Sequence, residues 1–572
     1  YNCERGINMS KIINETKQQI NKIIKEAIKK AQLANLLPEE NIKDFIIEVP
    51  ADRKNGDFSS NIAMISAKIF KSSPKKIAET IVKNFDLSGT MLSRVEVAGP
   101  GFINFYFSDE FYASVLNEIS EQGENYGRSN YGKGRKVMVE FVSANPTGPM
   151  HMGNARGGAL GDCLASVLDI AGYEVSREFY INDAGNQIDK FGLSLETRYL
   201  QIYEGEQAHP LPEDSYHGED ILDLAKDFAL INGKKYLNVE SDIRRKALVD
   251  FALPKNISKM KSDLEKYRIY FDTWFHEIDL HKNGEIDETI DILKNNNMTY
   301  EKDGALWYKA TKFGSEKDEV LIRQNGNPTY FAADIAYHRN KFVKRGFETC
   351  IDIWGADHHG HVARMKSAMD AIGLDGSNLD VVLMQLVKLV KNGEIVKMSK
   401  RTGKAIQLAD LLDEVSADAA RFIFNMREPN TQMEFDLDLA VKEDSQNPVY
   451  YVQYAHARIC SVLKALATQG IFPRTCSVNE LMKLNMPEER ELIRHLAYYT
   501  SEIVDAAKHY DPARITRYVI NLATLFHKFY NSCRVMCQDE SLMQARLHLC
   551  ICVKTVIKNI LTMFKITVPE SM

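Results

Sequence analysis

Two short stretches hold residues that could handle phosphate. In Pro149-Met-His151-Met-Gly153-Asn154, a glycine stands where a strand turns into a helix. Bare backbone there can approach a phosphate, and a helix N-terminus favours negative charge. His151 can donate a hydrogen bond to phosphate oxygens, and Gly153 keeps open a place that a side chain would block against a nucleotide. In Lys397-Met-Ser399-Lys400-Arg401, three cations fall within five residues, with Gly393 before them and Gly403 after. Such a loop can close over a triphosphate and neutralise charge developing on a departing pyrophosphate. Alone, the first stretch reads as a Gly/Pro-rich loop with a buried histidine, and the second as a solvated basic loop. Together, in this order and about 245 residues apart, they are far more specific.

Two other clusters invite a metal. Asp357-His358-His359-Gly-His361 offers four potential ligands, one aspartate and three histidines. Successive residues at a strand end point in different directions, however, so contact with a nucleotide or small substrate is the preferred reading. Cys533/Cys537 and Cys550/Cys552, with His548 nearby, lack the usual C-x2-C spacing and read as buried small hydrophobes. No metal site is expected.

These residues need elements to position them. Lys136 to Val142 is a buried-strand run, followed by the turn-rich Ser143 to Pro149. A helix then opens at Met150 to Asn154, with Leu160, Leu164, Val167, Leu168 and Ala171 on one face and Gly172 as its stop signal. Glu174 to Ile181 begins another strand. The result is a β-α-β unit with its loop at the strand's carboxyl end, where open α/β sheets place ligands. The pattern returns with a strand at Thr349 to Trp354, a loop to His361 and a helix to Ile372. Leu379 to Val390 is strand-like, and Asn392-Gly393 signals a hairpin. Residues 195–312 form a less patterned, charged insertion.

Upstream, the apolar spacing from Ile12 to Ala31 is that of a one-faced helix, with Ser10 as its N-cap. Strand-like pieces follow at Phe45 to Val49 and Val95 to Phe107. Residues 1–8 look foreign to the fold. The expected organisation is a leader at 1–8, a small α+β domain at 9–127, an α/β domain with a parallel sheet at 128–439, and an all-α domain at 440–572.

The chain has 572 residues, Lys+Arg 72 against Asp+Glu 78 and a net charge of -6. That excludes a disordered tail, a collagen, a disulfide scaffold and a generic polyanion binder. No apolar run reaches the length of a membrane span. Nine scattered cysteines fit a reduced, cytosolic setting. Residues 440–572 carry 16 basic and 12 acidic side chains, so the C-terminal part is the basic part of an acidic protein.

The paired stretches resemble the two signatures of class I aminoacyl-tRNA synthetases. Further stretches resemble the arginyl-tRNA synthetase family. They are Glu140 to Pro149, Leu321-Ile-Arg, Asn327 to Tyr337, Trp354 to His358, Asn447 to Arg458, Phe526 to Arg534 and Val568 to Met572. The resemblance covers essentially everything after Met9. It implies a Rossmann-type catalytic domain, an N-terminal domain touching the D-loop corner of tRNA, and a helical anticodon-binding domain. It implies ATP-dependent activation of L-arginine and transfer to tRNA, with magnesium accompanying ATP, no tightly bound cofactor, and mostly monomeric relatives.

The resemblance also assigns roles. His151, Lys397 and Lys400 stabilise the transition state. His151, Gly153, Asn154, Gly355, Lys397, Ser399 and Lys400 meet ATP. For arginine it implies Glu140, Ser143, Asn145, Tyr330, Asp334 and Asp357. A guanidinium is a planar, permanently charged five-donor group, so carboxylates in fork geometry suit it. Tyr330 and Asp334, four apart, share one face of a helix. Tyr450, Tyr451, Tyr454 and Arg458, on one side of a predicted helix, suit unstacked anticodon bases. Two positions depart from the family pattern. Asn154 replaces the last histidine of the first signature, and Asp357 stands where some relatives carry glutamine. Two other classes are a small-molecule ligase without tRNA and a catalytically silent RNA-binding relative. The basic C-terminal helices argue against the first, and the intact His151, Gly153, Lys397 and Lys400 against the second.

Overall fold

The computed structural model describes residues 10–396 and 406–572. Lys397, Ser399 and Lys400 lie outside the described residues. The helix Lys11–Leu33 starts where Ser10 Oγ accepts from the Ile13 amide at 3.4 Å. Its buried isoleucines pack on an antiparallel sheet ordered β1-β2-β4-β3. These strands are β1 (Ile47–Glu48), β2 (Phe58–Ser60), β3 (Leu92–Ala98) and β4 (Phe102–Phe107). The single strand expected over Val95 to Phe107 is therefore two. Gly99 at φ +51° and Gly101 at φ +133° turn the chain between them, and a Cβ on Gly101 would sit 2.8 Å from Pro74.

The central sheet is wholly parallel, ordered β12-β11-β5-β6-β7. It comprises β5 (Lys136–Glu140), β6 (Glu174–Ile181), β7 (Thr273–His276), β11 (Thr349–Gly355) and β12 (Leu379–Met384). A small antiparallel sheet, β8 (Thr299–Lys302), β9 (Ala305–Tyr308) and β10 (Glu319–Ile322), lies between. From β5 the chain runs to β6 on one side, and β11 later joins on the other. The strand order thus reverses between β5 and β11, and a crevice opens at their carboxyl ends. The edge strand β7 lies within the stretch read as an unpatterned insertion.

The strand-like run Leu379 to Val390 is also divided. Gln385 and Leu386 separate β12 from β13 (Val387–Lys391), which belongs to another sheet. There it pairs antiparallel with β14 (Glu394–Val396) and parallel with β15 (Met433–Asp436). Asn392 and Gly393, at φ 53° and 76°, make the tight turn between β13 and β14. From Pro448 onward the chain is helical, chiefly Pro448–Ala467, Pro487–Ala497, Tyr499–His509, Ala513–Ser532 and Glu540–Met563.

A buried charge cluster ties this helical part to the central sheet. Asp162, in the middle of helix Met152–Ile170, is fully buried and pairs with Arg421. It also meets Lys565 Nζ at 2.8 Å and Arg177 Nε at 3.0 Å. Burial pushes the Asp162 carboxyl up, but these cations outweigh it and hold the group below its ordinary range. Arg421 also donates to the carbonyls of Phe564 at 2.7 Å and Tyr267 at 3.0 Å.

Candidate active site

A cavity of about 480 Å³ occupies the crevice between β5 and β11. Just after β5 the backbone folds into a γ-turn. The Ser143 amide donates to Phe141 O at 3.0 Å, with Val142 between them at φ 70°. A β-branched residue there is strained. The turn aims Ser143 Oγ back at Glu140 Oε1, 2.9 Å away, and lets it accept from the Tyr180 amide at 3.2 Å.

Glu140 does not present the free fork expected of it. Lys341 Nζ donates to its Oε2 at 2.6 Å, so both oxygens are occupied. The same lysine donates to Asp352 Oδ1 at 2.9 Å, and His338 Nε2 meets Asp352 Oδ2 at 2.8 Å. Burial raises Glu140, Lys341 pulls it back and Asp352 pushes it up again. Burial would also raise Asp352, but Lys341 and His338 hold it at about 2. Lys341 reaches this place from a π-helical segment, Asn340–Lys344, that continues helix Tyr330–Arg339. This network is the floor of the cavity.

Asp334 is the carboxylate with room for a ligand. It lines the cavity and meets His361 Nε2 at 3.2 Å, with no Lys or Arg pair among the described residues. Tyr330 lies one helical turn earlier, 37% exposed, beside Gly185 and outside the cavity lining. Asn145 is exposed and also outside it. Gly355 and Asp357 line the cavity, the latter at its open rim. Asp357 faces His358 at 3.6 Å while His361 faces Asp334, so the histidines diverge. Among the described residues, no three potential ligands converge on a metal position.

Behind the Asp334 wall sits a residue the sequence did not single out. Glu277, 3% exposed, follows β7 directly. Burial raises its carboxyl to about 7, Tyr180 opposing this and Asp334 and Asp183 adding to it. Its basic neighbour among the described residues, His281 at 3.7 Å, is itself pushed toward neutrality by burial. Among the described residues no lysine or arginine pairs with Asp334 or Glu277, so neither carboxylate has a permanent cation of its own.

His151 caps helix Met152–Ile170. Its Nδ1 accepts from the Gly153 amide at 3.1 Å, and Asn154 Oδ1 accepts from the His151 amide at 2.9 Å. The Nε2 then carries the proton, and burial lowers the ring's pKa, keeping it a neutral donor. Asn154 is thus a capping residue with its amide NH2 uncommitted to the cap. A Cβ on Gly153 would meet the His151 ring at 3.1 and 3.2 Å, so what glycine spares here is the histidine's own position. Hairpin β13–β14 precedes the second signature in the chain, and beyond it the described Gln407 bridges to His151 and the Leu408 amide donates to Met150 O at 2.9 Å.

Three family models match in series: the arginyl tRNA synthetase N-terminal domain at 18–107, the class I (R) tRNA synthetase catalytic domain at 115–459, and the DALR anticodon-binding domain at 452–572. The chain belongs to the arginyl-tRNA synthetase family. It is 56% identical to the arginine–tRNA ligase of Ruminiclostridium cellulolyticum, covering 99% of this chain and 100% of that one. The arginine–tRNA ligase of Acetivibrio thermocellus is 55% identical over the same shares. A putative arginyl-tRNA synthetase structure from Campylobacter jejuni superposes with a TM-score of 0.72 at 36% identity, covering 82% of this chain and 100% of that one. The Thermus thermophilus arginyl-tRNA synthetase shares the fold, at a TM-score of 0.70 and 21% identity, covering 96% of this chain and 100% of that one.

On the family's anticodon-binding domain, helix Pro448–Ala467 brings together three of the four residues read there. Tyr451 and Tyr454 flank His527, with ring centroids at 5.1 and 6.0 Å. Arg458 lies 4.3 Å over Tyr530 and 6.0 Å from Tyr454. Tyr450 is half-buried on the same helix. Sequence reasoning missed His527 as a member of this aromatic cluster, although Phe526 to Arg534 had been matched to the family. It missed Glu277, Tyr180 and Lys341 altogether, because no local pattern marks them.

Proposed function

We infer that the chain ligates L-arginine to its tRNA through an arginyl-adenylate, with ATP entering as its magnesium complex. The arginine carboxylate attacks the α-phosphorus, pyrophosphate leaves, and the tRNA's terminal hydroxyl then displaces AMP. No protein base is required for the first step, since the carboxylate is already ionised; positioning and charge stabilisation do the work.

The guanidinium sits at Asp334, with the negative charge of Glu277 behind it. The observation that carries this reading is that pair of carboxylates, without a lysine or arginine partner among the described residues, beside a cavity at the strand-order reversal. Glu140 and Ser143 act as a braced wall rather than a fork, and Gly355 and Asp357 line the side toward β11. His151 offers its Nε2 proton to phosphate oxygens, with Gly153 and Asn154 holding the ring. Lys397, Ser399 and Lys400 are taken to complete the phosphate contacts, supported by the pairing of Gln407–Leu408 with Met150–His151. Tyr450, Tyr451, Tyr454 and Arg458 are taken to meet the anticodon loop. We take the domains to divide at about 127 and 440, a reading supported by the order in which the three family models match along the chain.

Eight described cysteines are all free, which supports a reducing, cytoplasmic setting. No described helix is long and apolar enough to cross a membrane. A monomer is the expected form. Arginine titration of the wild-type chain and of Asp334→Asn tests the site. Asp334→Asn should weaken arginine by roughly thirtyfold or more, as expected for losing a buried charge-assisted bond, and leave ATP nearly unchanged. Equal loss for both ligands would make Asp334 structural.

A further inference from the structure

A second cavity, of about 650 Å³, shares no lining residue with the first. It lies where the N-terminal segment meets helices Pro487–Ala497 and Ala513–Ser532. Ion pairs build this seam. Arg494 Nε meets Asp57 Oδ1 at 2.6 Å, its Nη2 donates to Tyr112 Oη at 2.8 Å, and Arg490 pairs with Asp109. These pairs leave donors over: Arg490 Nε is buried without a hydrogen-bond partner. Arg53, across the cavity, makes no ion pair among the described residues and lies 5.5 Å over the Tyr498 ring.

The other wall is aromatic. His495 and Tyr518 stack at 4.2 Å, with 12° between their planes. His495 Nε2 faces Tyr518 O at 3.0 Å, and burial lowers the ring's pKa to about 4. The imidazole is therefore neutral, with Nε2 the donor and Nδ1 left as an acceptor. Burial raises the Tyr498 hydroxyl to about 12 against the pull of Arg53, so it stays protonated. Two carboxylates face the cavity. Glu502 is tied to Arg514 at 3.1 Å, and Glu491 is exposed at the rim.

Flat aromatic faces, neutral hydrogen-bonding groups and spare guanidinium donors together suit a base and its phosphate. The volume falls in the range of small-molecule sites. We propose that this cavity binds one unstacked nucleotide, a nucleoside 5′-phosphate unit either free in solution or carried in an RNA strand. The base lies along Tyr498 and the His495–Tyr518 stack, and the phosphate meets the Arg53 guanidinium. The free-nucleotide source stands apart from the ligase reading; the RNA source rests on it.

The test uses the full chain and two variants, Arg53→Gln and Tyr498→Leu, with matched thermal melts. Cytidine 5′-monophosphate, which avoids an adenosine-specific site, is titrated by calorimetry. An unfractionated tRNA pool is titrated by fluorescence anisotropy at two salt concentrations. At least one ligand should bind fivefold or more weakly to both variants, with arginine and ATP affinities unchanged within twofold. For tRNA, Arg53→Gln should also flatten the salt slope by about one phosphate contact. Loss confined to cytidine monophosphate identifies the free nucleotide, and loss confined to tRNA identifies the RNA strand. Variants within twofold of wild type for both ligands, or a wild-type chain that binds neither, would overturn the proposal. Failure of arginine activation alone would count against the ligase reading and leave this site standing.

Discussion

Arginine binding should weaken about tenfold between pH 8 and pH 6, and Glu277 should be the cause. Its carboxyl is raised to about 7 in the ligand-free chain, from an ordinary 4.5. Above pH 7 it is ionised and draws a guanidinium toward Asp334; below pH 7 it takes up a proton that binding must expel. For a single group of pKa 7 whose bound value lies well below 6, the apparent constant scales as one plus the proton concentration over its dissociation constant. That gives about 1.1 at pH 8 and about 11 at pH 6. The linkage to folding has the matching sign. A carboxyl raised on folding costs stability as pH rises from its unfolded pKa to its folded one, here from about 4.5 to 7, and bound arginine should offset that cost. Isothermal titration with arginine at pH 8, 7 and 6 is the assay, with Glu277→Gln as the control. The variant should bind more weakly at pH 8 and lose the tenfold slope. A wild-type constant that is flat over this range, or a slope that survives in Glu277→Gln, would refute the reasoning.

Three other outcomes follow from the geometry. Lys341→Met removes the cation shared by buried Glu140 and Asp352, so urea unfolding should show a loss of about 3–5 kcal/mol; a loss under about 1 kcal/mol would mean the network relaxes freely. Gly153→Ala should cut pyrophosphate exchange at least about tenfold by displacing the His151 ring, while stability holds or rises, since alanine favours a helix by roughly 0.5–1 kcal/mol; unchanged exchange would remove the ring's position from the account. Asp162→Asn leaves Arg421, Lys565 and Arg177 without their common anion and should lower unfolding stability by about 3–5 kcal/mol; a melting midpoint equal to wild type would contradict it.

What could be read without coordinates was what depends on near neighbours in sequence. The unit β5–turn–helix is written in a buried apolar run, turn residues and a one-faced helix, and it appears where the residues placed it. The Asn392-Gly393 turn was legible for the same reason. Features set by distant pairing were not. β7 has four residues, Thr273–His276, and is held by β6, some ninety positions away; nothing local sets it apart from the helices around it. Glu277 follows that strand and inherits its obscurity. Glu140 looked like an open carboxylate because Lys341, its partner, lies 201 positions on and is delivered by a π-helical segment that periodicity does not announce. The strained Val142 turn likewise has no glycine to signal it.

The central claim, that this cavity selects arginine for attachment to tRNA, is tested most directly by amino-acid-dependent ATP–pyrophosphate exchange in the presence of a tRNA pool. Each of the twenty amino acids is supplied in turn, and the charged product is recovered from tRNA. The account predicts exchange and charging with arginine, and none with lysine, whose compact ammonium lacks the planar fork. Exchange that prefers lysine or a neutral amino acid, or arginine exchange with no arginine recovered on tRNA, would contradict it.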